Sequence, residues 1–153
     1  MNRIMFPIAL LLIINIIFTV YSFAQEGMVN RGGGVWGPKS SYNINYNPAS
    51  VETIKGEVVS LNKISPMKGM SYGIHIMLKT NKEKVSVYLG PAWYFNNNKF
   101  FIKVKDKIEI KGSRTTYDGK PAIIAGEIKR GEETIKIRDE NGYPVWGGGR
   151  KNK

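Results

Sequence analysis

The chain has 153 residues, of which 42% are hydrophobic, 11% aromatic and 23% charged, with no cysteine and a formal net charge of +11 at pH 7. That length holds about one domain, and that composition belongs to a globular protein rather than a disordered tail. The absence of thiols excludes disulfides, thiolate metal sites, a cysteine nucleophile and lipoprotein attachment, so the domain must be held by its apolar core.

Residues 1–24 open with Asn2 and Arg3 and continue as a nearly unbroken apolar run. This is the pattern of an export signal, and Ser22 and Ala24 are small residues at the spacing a signal peptidase needs, so cleavage is expected after Ala24. The alternative is an uncleaved anchor, because about 17–25 apolar residues span a bilayer. The membrane would then be met only through that segment. Either reading puts the rest of the chain outside the cytoplasm, in the periplasm or secreted. Cleavage removes Arg3 and no acidic residue, so the positive excess stays with the mature part. Such a field attracts nucleic acid, anionic lipid headgroups, acidic polysaccharide or an acidic protein without choosing among them. A composition rich in Lys, Ile and Asn gives the same charge without any use for it.

Residues 25–50 carry a triple Gly at 32–34, Pro38, Pro48 and several Asn, with no periodicity, and are expected to form an irregular leader. Alternation begins at Val51, and 51–64 is expected as a strand with a bend or bulge at Gly56. A loop over 65–73 follows. Ile74, Ile76 and Leu78 then alternate with His75, Met77 and Lys79, and Val85, Val87 and Leu89 alternate with Ser86 and Tyr88. Two such runs about a polar turn make a hairpin whose aliphatic set faces the core. A turn centred near Asn81 and Lys82 sets His75 opposite Tyr88 and Met77 opposite Ser86.

Pro91 suits the first turn of a helix, and the aromatic residues of 92–101 fall at roughly helical spacing, so a helix of about two or three turns is expected there. Trp93 and Phe100 are expected to pack on the core, with Trp93 closing one end of the barrel. Residues 104–114 read as a strand, with Ile108 and Ile110 inward. Asp118 and Gly119 make a turn pair, 121–130 the next strand with Ile123 or Ile124 inward, Gly131 a turn, and 134–138 a last short strand. Residues 140–153 read as a basic, Gly-rich tail.

Three strands, a short helix and two strands, with one strand appended, is the order of an OB barrel. The expected fold is therefore an all-β, OB-like barrel of five to six strands over 51–139, with the helix between strands three and four. An SH3-like barrel or a lipocalin-like meander would also accommodate the strands, whereas the absence of a βαβ unit speaks against a doubly wound sheet.

Several blocks then stand together: Val-Glu-Thr-Ile-Lys-Gly at 51–56, Leu-Gly-Pro-Ala-Trp-Tyr at 89–94, Lys-Gly-Ser-Arg at 111–114, Asp-Gly-Lys-Pro at 118–121 and Ile-Arg-Asp-Glu-Asn-Gly-Tyr-Pro-Val-Trp at 137–146. As a set they resemble a family of small exported bacterial OB-like proteins, over most of 35–150. Members of that family often carry a DNA-binding label, which implies nucleic acid as a partner only by analogy from the barrel. The resemblance brings no catalytic residue.

The residues themselves offer no catalytic constellation either. His75 is the sole histidine, which excludes an ordinary zinc site, although together with Met77 it could ligate copper or a haem iron with help from a partner. Ser86 and Ser113 lack a base, and neither triple Gly sits in a phosphate-loop context. What remains is the face that OB barrels use, strands two and three between the first and last loops. Lys68, Met70 and Tyr72 lie in the first loop. His75, Met77, Lys79, Ser86 and Tyr88 lie on the face, and Arg114, Tyr117 and Lys120 near the last loop. Aromatic rings offer stacking platforms while Lys and Arg neutralise an anion. The ligand-binding candidates are accordingly Lys68, Tyr72, His75, Lys79, Tyr88, Arg114, Tyr117 and Lys120. Packing of Tyr88 and Tyr117 under the terminal segments is the competing account of those two rings.

The expected function is that of a non-catalytic binding or accessory protein of the cell envelope, a monomer without cofactor, engaging an anionic polymer, an extended ligand or an envelope protein. Single-stranded nucleic-acid binding is an alternative, and an accessory role to an exported redox or metal protein a third.

Overall fold

The computed structural model describes residues 36, 37, 40, 43, 45–65 and 71–147. The expected export signal, Lys68 and Met70 lie outside these. Six strands follow in chain order, β1 Val51–Ile64, β2 Gly73–Lys79, β3 Lys84–Pro91, β4 Lys107–Tyr117, β5 Lys120–Arg130 and β6 Glu133–Lys136, with one helix, α1 Ala92–Asn97, between β3 and β4. The sheet order is β3-β2-β1-β4-β5-β6, and β3 also pairs with β5 in parallel. That pairing runs through Ser86 with Ala122, Val87 with Ile123 and Tyr88 with Ile124. It closes five strands into the expected barrel and leaves β6 outside the ring, hung on β5.

Closure depends on β1 serving two neighbours. Its first half pairs with β4 from Val51 opposite Ser113 to Glu57 opposite Lys107. Its second half pairs with β2 from Glu57 opposite Lys79 to Ile64 opposite Gly73. The handover lies at Gly56 and Glu57, where a Cβ on residue 56 would run into the Lys79 carbonyl. The expected bend is therefore a close backbone approach, and the register irregularity itself falls between Val58 and Ser60. A second irregularity sits between Lys111 and Gly112, where a Cβ would lie 2.5 Å from the Ile124 carbonyl oxygen. Both glycines let the sheet curl tightly enough to close.

The interior contains every aliphatic side chain expected there. Ile74, Ile76, Leu78, Val85, Val87, Leu89, Ile108, Ile110 and, of the pair Ile123 and Ile124, Ile123 make up the buried core, whereas Ile124 is buried outside that cluster. The hairpin register also matches, with His75 opposite Tyr88 and Met77 opposite Ser86. Asp118 and Gly119 both take positive φ, as a two-residue hairpin turn requires.

Several details differ from expectation, among them the last strand, which ends at Lys136 rather than 138, and the fourth, which runs on to Tyr117 rather than 114. The helix has six residues rather than two or three turns. Its end is set by Asn98, whose side-chain amide donates to the Tyr94 carbonyl, and by Lys99 at φ 54°. Trp93 does not close the barrel: it is 39% exposed, and Phe95, at 1%, fills that place. In so short a helix only one stripe faces inward, and Ala92 and Phe95, three residues apart, occupy it. Finally, β4 begins at Lys107 rather than 104, because the Asp106 carboxylate caps the Lys103 amide and Lys105 turns at φ 77°.

Segments before and after the barrel pack against it. Ser40 and Asn43 are buried, and Asn47 and Ser50 bind Ser113 on β4. After β6, Arg138 bridges to Pro144, and the Asp139 carboxylate accepts from the Asn141 and Tyr143 amides.

Candidate binding site

On β2 and β3 the alternation that sends Ile76 and Val87 inward sends His75, Met77, Ser86 and Tyr88 outward. The His75 and Tyr88 rings lie 4.2 Å apart, edge to face, and the Tyr117 ring stands 5.2 Å beyond Tyr88. Tyr117 reaches there because the parallel β3–β5 pairing brings the β4–β5 turn alongside β3. The result is a row of three rings crossing the face, with Tyr117 61% exposed at its outer end.

The basic groups divide. Lys79 and Lys84 are opposite each other at the β2–β3 turn, and Lys120 is paired with Tyr117 across the β4–β5 turn. All three are exposed, and among the described residues none forms an ion pair with a carboxylate. Arg114 is differently placed. Its Nε donates to Glu52 at 2.7 Å and its Nη2 to Glu83 at 2.7 Å, tying the β2–β3 turn to β1. These hydrogen bonds raise its pKa and commit its charge within the fold. Tyr72 is exposed before β2, with the Lys63 ammonium 4.9 Å from its ring centroid. The structure thus brings His75, Tyr88 and Tyr117 together with Lys120 beside them, places Lys79 and Lys84 at the near turn, and sets Arg114 to structural work. Lys68 lies outside the described residues.

Burial pushes the His75 imidazole down to about 4 from its usual 6.5, so the ring is neutral at physiological pH. Among the described residues no group of three or more His, Asp or Glu could hold a metal ion. No helix there is long and apolar enough to cross a membrane.

A second cluster was not anticipated from the sequence. Arg138 is 2% exposed, and its Nε donates to the Asn43 side-chain oxygen at 2.8 Å. Its Nη1 donates to the Leu89 carbonyl at 3.0 Å and to the Ala125 carbonyl. The guanidinium lies 5.4 Å from the Trp146 ring centroid, and burial lowers its pKa to about 10. The Trp146 indole N–H donates to the Trp36 carbonyl at 2.8 Å, and the Trp36 indole N–H to the Ser71 carbonyl at 3.1 Å. Trp36 lies on Gly73 and Trp146 on Gly90. The one signal that could have found this pair is that the tripeptide Val-Trp-Gly occurs on both sides of the barrel, at 35–37 and 145–147.

A model of the MamS/MamX magnetosome protein family matches residues 50–135, which runs from the start of β1 into β6. No curated protein sequence matches the chain significantly. Among solved structures the chain is similar to an OBody, AM1L10, bound to hen egg-white lysozyme, at 20% identity over 66% of this chain and 99% of that one. The TM-score of that pair is 0.40, a loose likeness that bears on no functional question.

Proposed function

Since the chain belongs to the MamS/MamX magnetosome protein family, we propose that it is a non-catalytic binding module of that setting, holding an extended, anionic partner across the outward face of β2 and β3. The observation that carries this reading is the row His75, Tyr88 and Tyr117, which ends in an exposed ring bordered by lysines without carboxylate partners among the described residues. Stacked rings accept planar or apolar groups, while the ammonium groups neutralise charge spaced along a chain. In this reading the module acts by holding. The apolar run at 1–24 supports export, which places the partner outside the cytoplasm and makes an acidic polymer or an acidic protein segment a better candidate than nucleic acid.

The test is titration of the chain with single-stranded DNA, an acidic polysaccharide and a neutral glycan, using wild type, Tyr117→Ala and Lys79→Ala. Tyr117 is exposed enough for its loss to leave folding intact. The Tyr117 variant should lose about 1–3 kcal/mol of binding to any partner that stacks on it. Wild-type affinity in both variants, or no anion bound at low salt, overturns the reading.

A further inference from the structure

Between α1 and β4 the chain buries Phe100 and Ile102 and leaves Phe101 and Val104 53% and 51% exposed. Exposed lysines at 99, 103, 105 and 107 flank these two side chains. The backbone that carries them is pinned. The Phe101 carbonyl and the Asp106 carboxylate both accept from Arg130 Nη1, so one guanidinium draws the two ends of the arch together. The same cation lies 4.8 Å over the Phe100 ring and pairs with Glu133. The arch is also tied to β1, where the Lys105 N–H donates to the Val58 carbonyl at 2.7 Å and the Val58 N–H donates to the Asp106 carbonyl at 2.9 Å. That is the point at which β1 slips out of register with β2. Phe101 and Val104 are thus held outward by the backbone while their neighbours fill the core. Among the described residues none of the four lysines forms an ion pair with a carboxylate. Asp106 and Glu133 are answered by Arg130, which leaves Glu57, opposite Lys107 on β1, and Glu132 on the β5–β6 turn beside four cations.

We infer that the arch 99–107 docks the barrel on an anionic lipid surface, with Phe101 and Val104 entering the boundary between headgroups and acyl chains and the lysines at headgroup level. Interfacial binding grows with the apolar area immersed and with the attraction of nearby lysines to anionic lipid, and the arch offers both within nine residues. A soluble polyanion would use the lysines and leave Phe101 and Val104 in water. A stable protein partner covers about 800 Å² on each side, more than two side chains on one turn provide. A bilayer, by contrast, closes around an apolar tip from all sides, while the long lysine stems let the ammonium groups stay in the headgroup layer. The row His75, Tyr88 and Tyr117 belongs to other elements, so this docking does not depend on the function proposed above.

The chain has no cysteine, so a single introduced thiol takes an environment-sensitive fluorophore at one chosen place. Phe101→Cys and Val104→Cys put the label on the arch at exposed positions, and Thr116→Cys puts it at the exposed far end of β4 as the control. Each labelled full chain is titrated with vesicles of phosphatidylcholine alone and of phosphatidylcholine mixed with phosphatidylglycerol. The apolar run at 1–24 is common to all of them, so the contrast between positions reports the arch. Labels at 101 and 104 should shift to the blue with the anionic vesicles and not with the neutral ones, while the label at 116 stays unshifted. Adding Lys103→Gln and Lys105→Gln to the Phe101→Cys chain should raise the lipid concentration at half-maximal shift about fivefold for each lysine removed. No shift at 101 and 104, an equal shift at 116, or an equal shift with neutral vesicles overturns the docking. An unchanged midpoint in the lysine variant overturns the choice of an anionic surface. The same shift produced by soluble polyglutamate in place of vesicles would make the arch a polyanion site and overturn the membrane as its partner.

Discussion

The His75 imidazole sits between two kinds of surrounding, with the Tyr88 ring 4.2 Å away and the aliphatic interior behind it. Burial lowers its pKa from 6.5 to about 4, so between those values an unfolded chain takes up a proton that the folded chain refuses. Its contribution to stability is complete above pH 6.5, is lost as pH falls from there toward about 4, and changes no further below that. Thermal unfolding followed over this range should therefore show a loss that is smaller in His75→Gln, in which nothing titrates at this position. Equal losses in the two proteins would mean that the ring is as well hydrated folded as unfolded. The same neutrality fits a stacking role in the row, since an uncharged ring packs on Tyr88 without asking for a counterion.

At the scale of the element, α1 separates two aromatic neighbours by one stripe of a short helix. Phe95→Ala should cost about 3–5 kcal/mol, as expected for emptying a fully buried aromatic position. Trp93→Ala should cost under about 1 kcal/mol. Denaturant unfolding of the two variants checks the assignment, and a reversed order would restore Trp93 to the core. The helix was legible in the sequence from Pro91 and the aromatic spacing, but its inward stripe was not, because three Asn after Phe95 leave too few turns to establish a periodic face. The strands were far more legible. Strict alternation over Ile74, Ile76 and Leu78 and over Val85, Val87 and Leu89 fixes both the buried face and, through a short turn, the pairing of His75 with Tyr88. Arg114 shows the opposite case. Its position near the last loop was readable, yet its engagement by Glu52 and Glu83 depends on residues 62 and 31 positions away in sequence. The Trp36 and Trp146 contacts were likewise hidden, since they join segments 110 residues apart that have no periodicity of their own.

Over the whole molecule, a formal charge of +11 sets the terms on which any anionic partner is met. If Lys79, Lys84 and Lys120 each neutralise one phosphate of a single strand, the slope of log affinity against log salt should be about −2, at roughly −0.7 per contact. Lys79→Ala should make the slope shallower by about one such contact. Titration at several salt concentrations measures this, and retained binding with a flat slope would point to an uncharged partner. The division of β1 between β4 and β2 has a consequence of another kind. Its first half has no strand partner until Lys107–Tyr117 is available, and the ring is not closed until β5 returns to β3. Contacts of such sequence separation are slow to form, because a long loop must be ordered before they repay it. During synthesis the local β1–β2–β3 pairings can form first, but the ring cannot close before β5 has emerged, so a chain stopped short of Ala122 holds at most an open sheet.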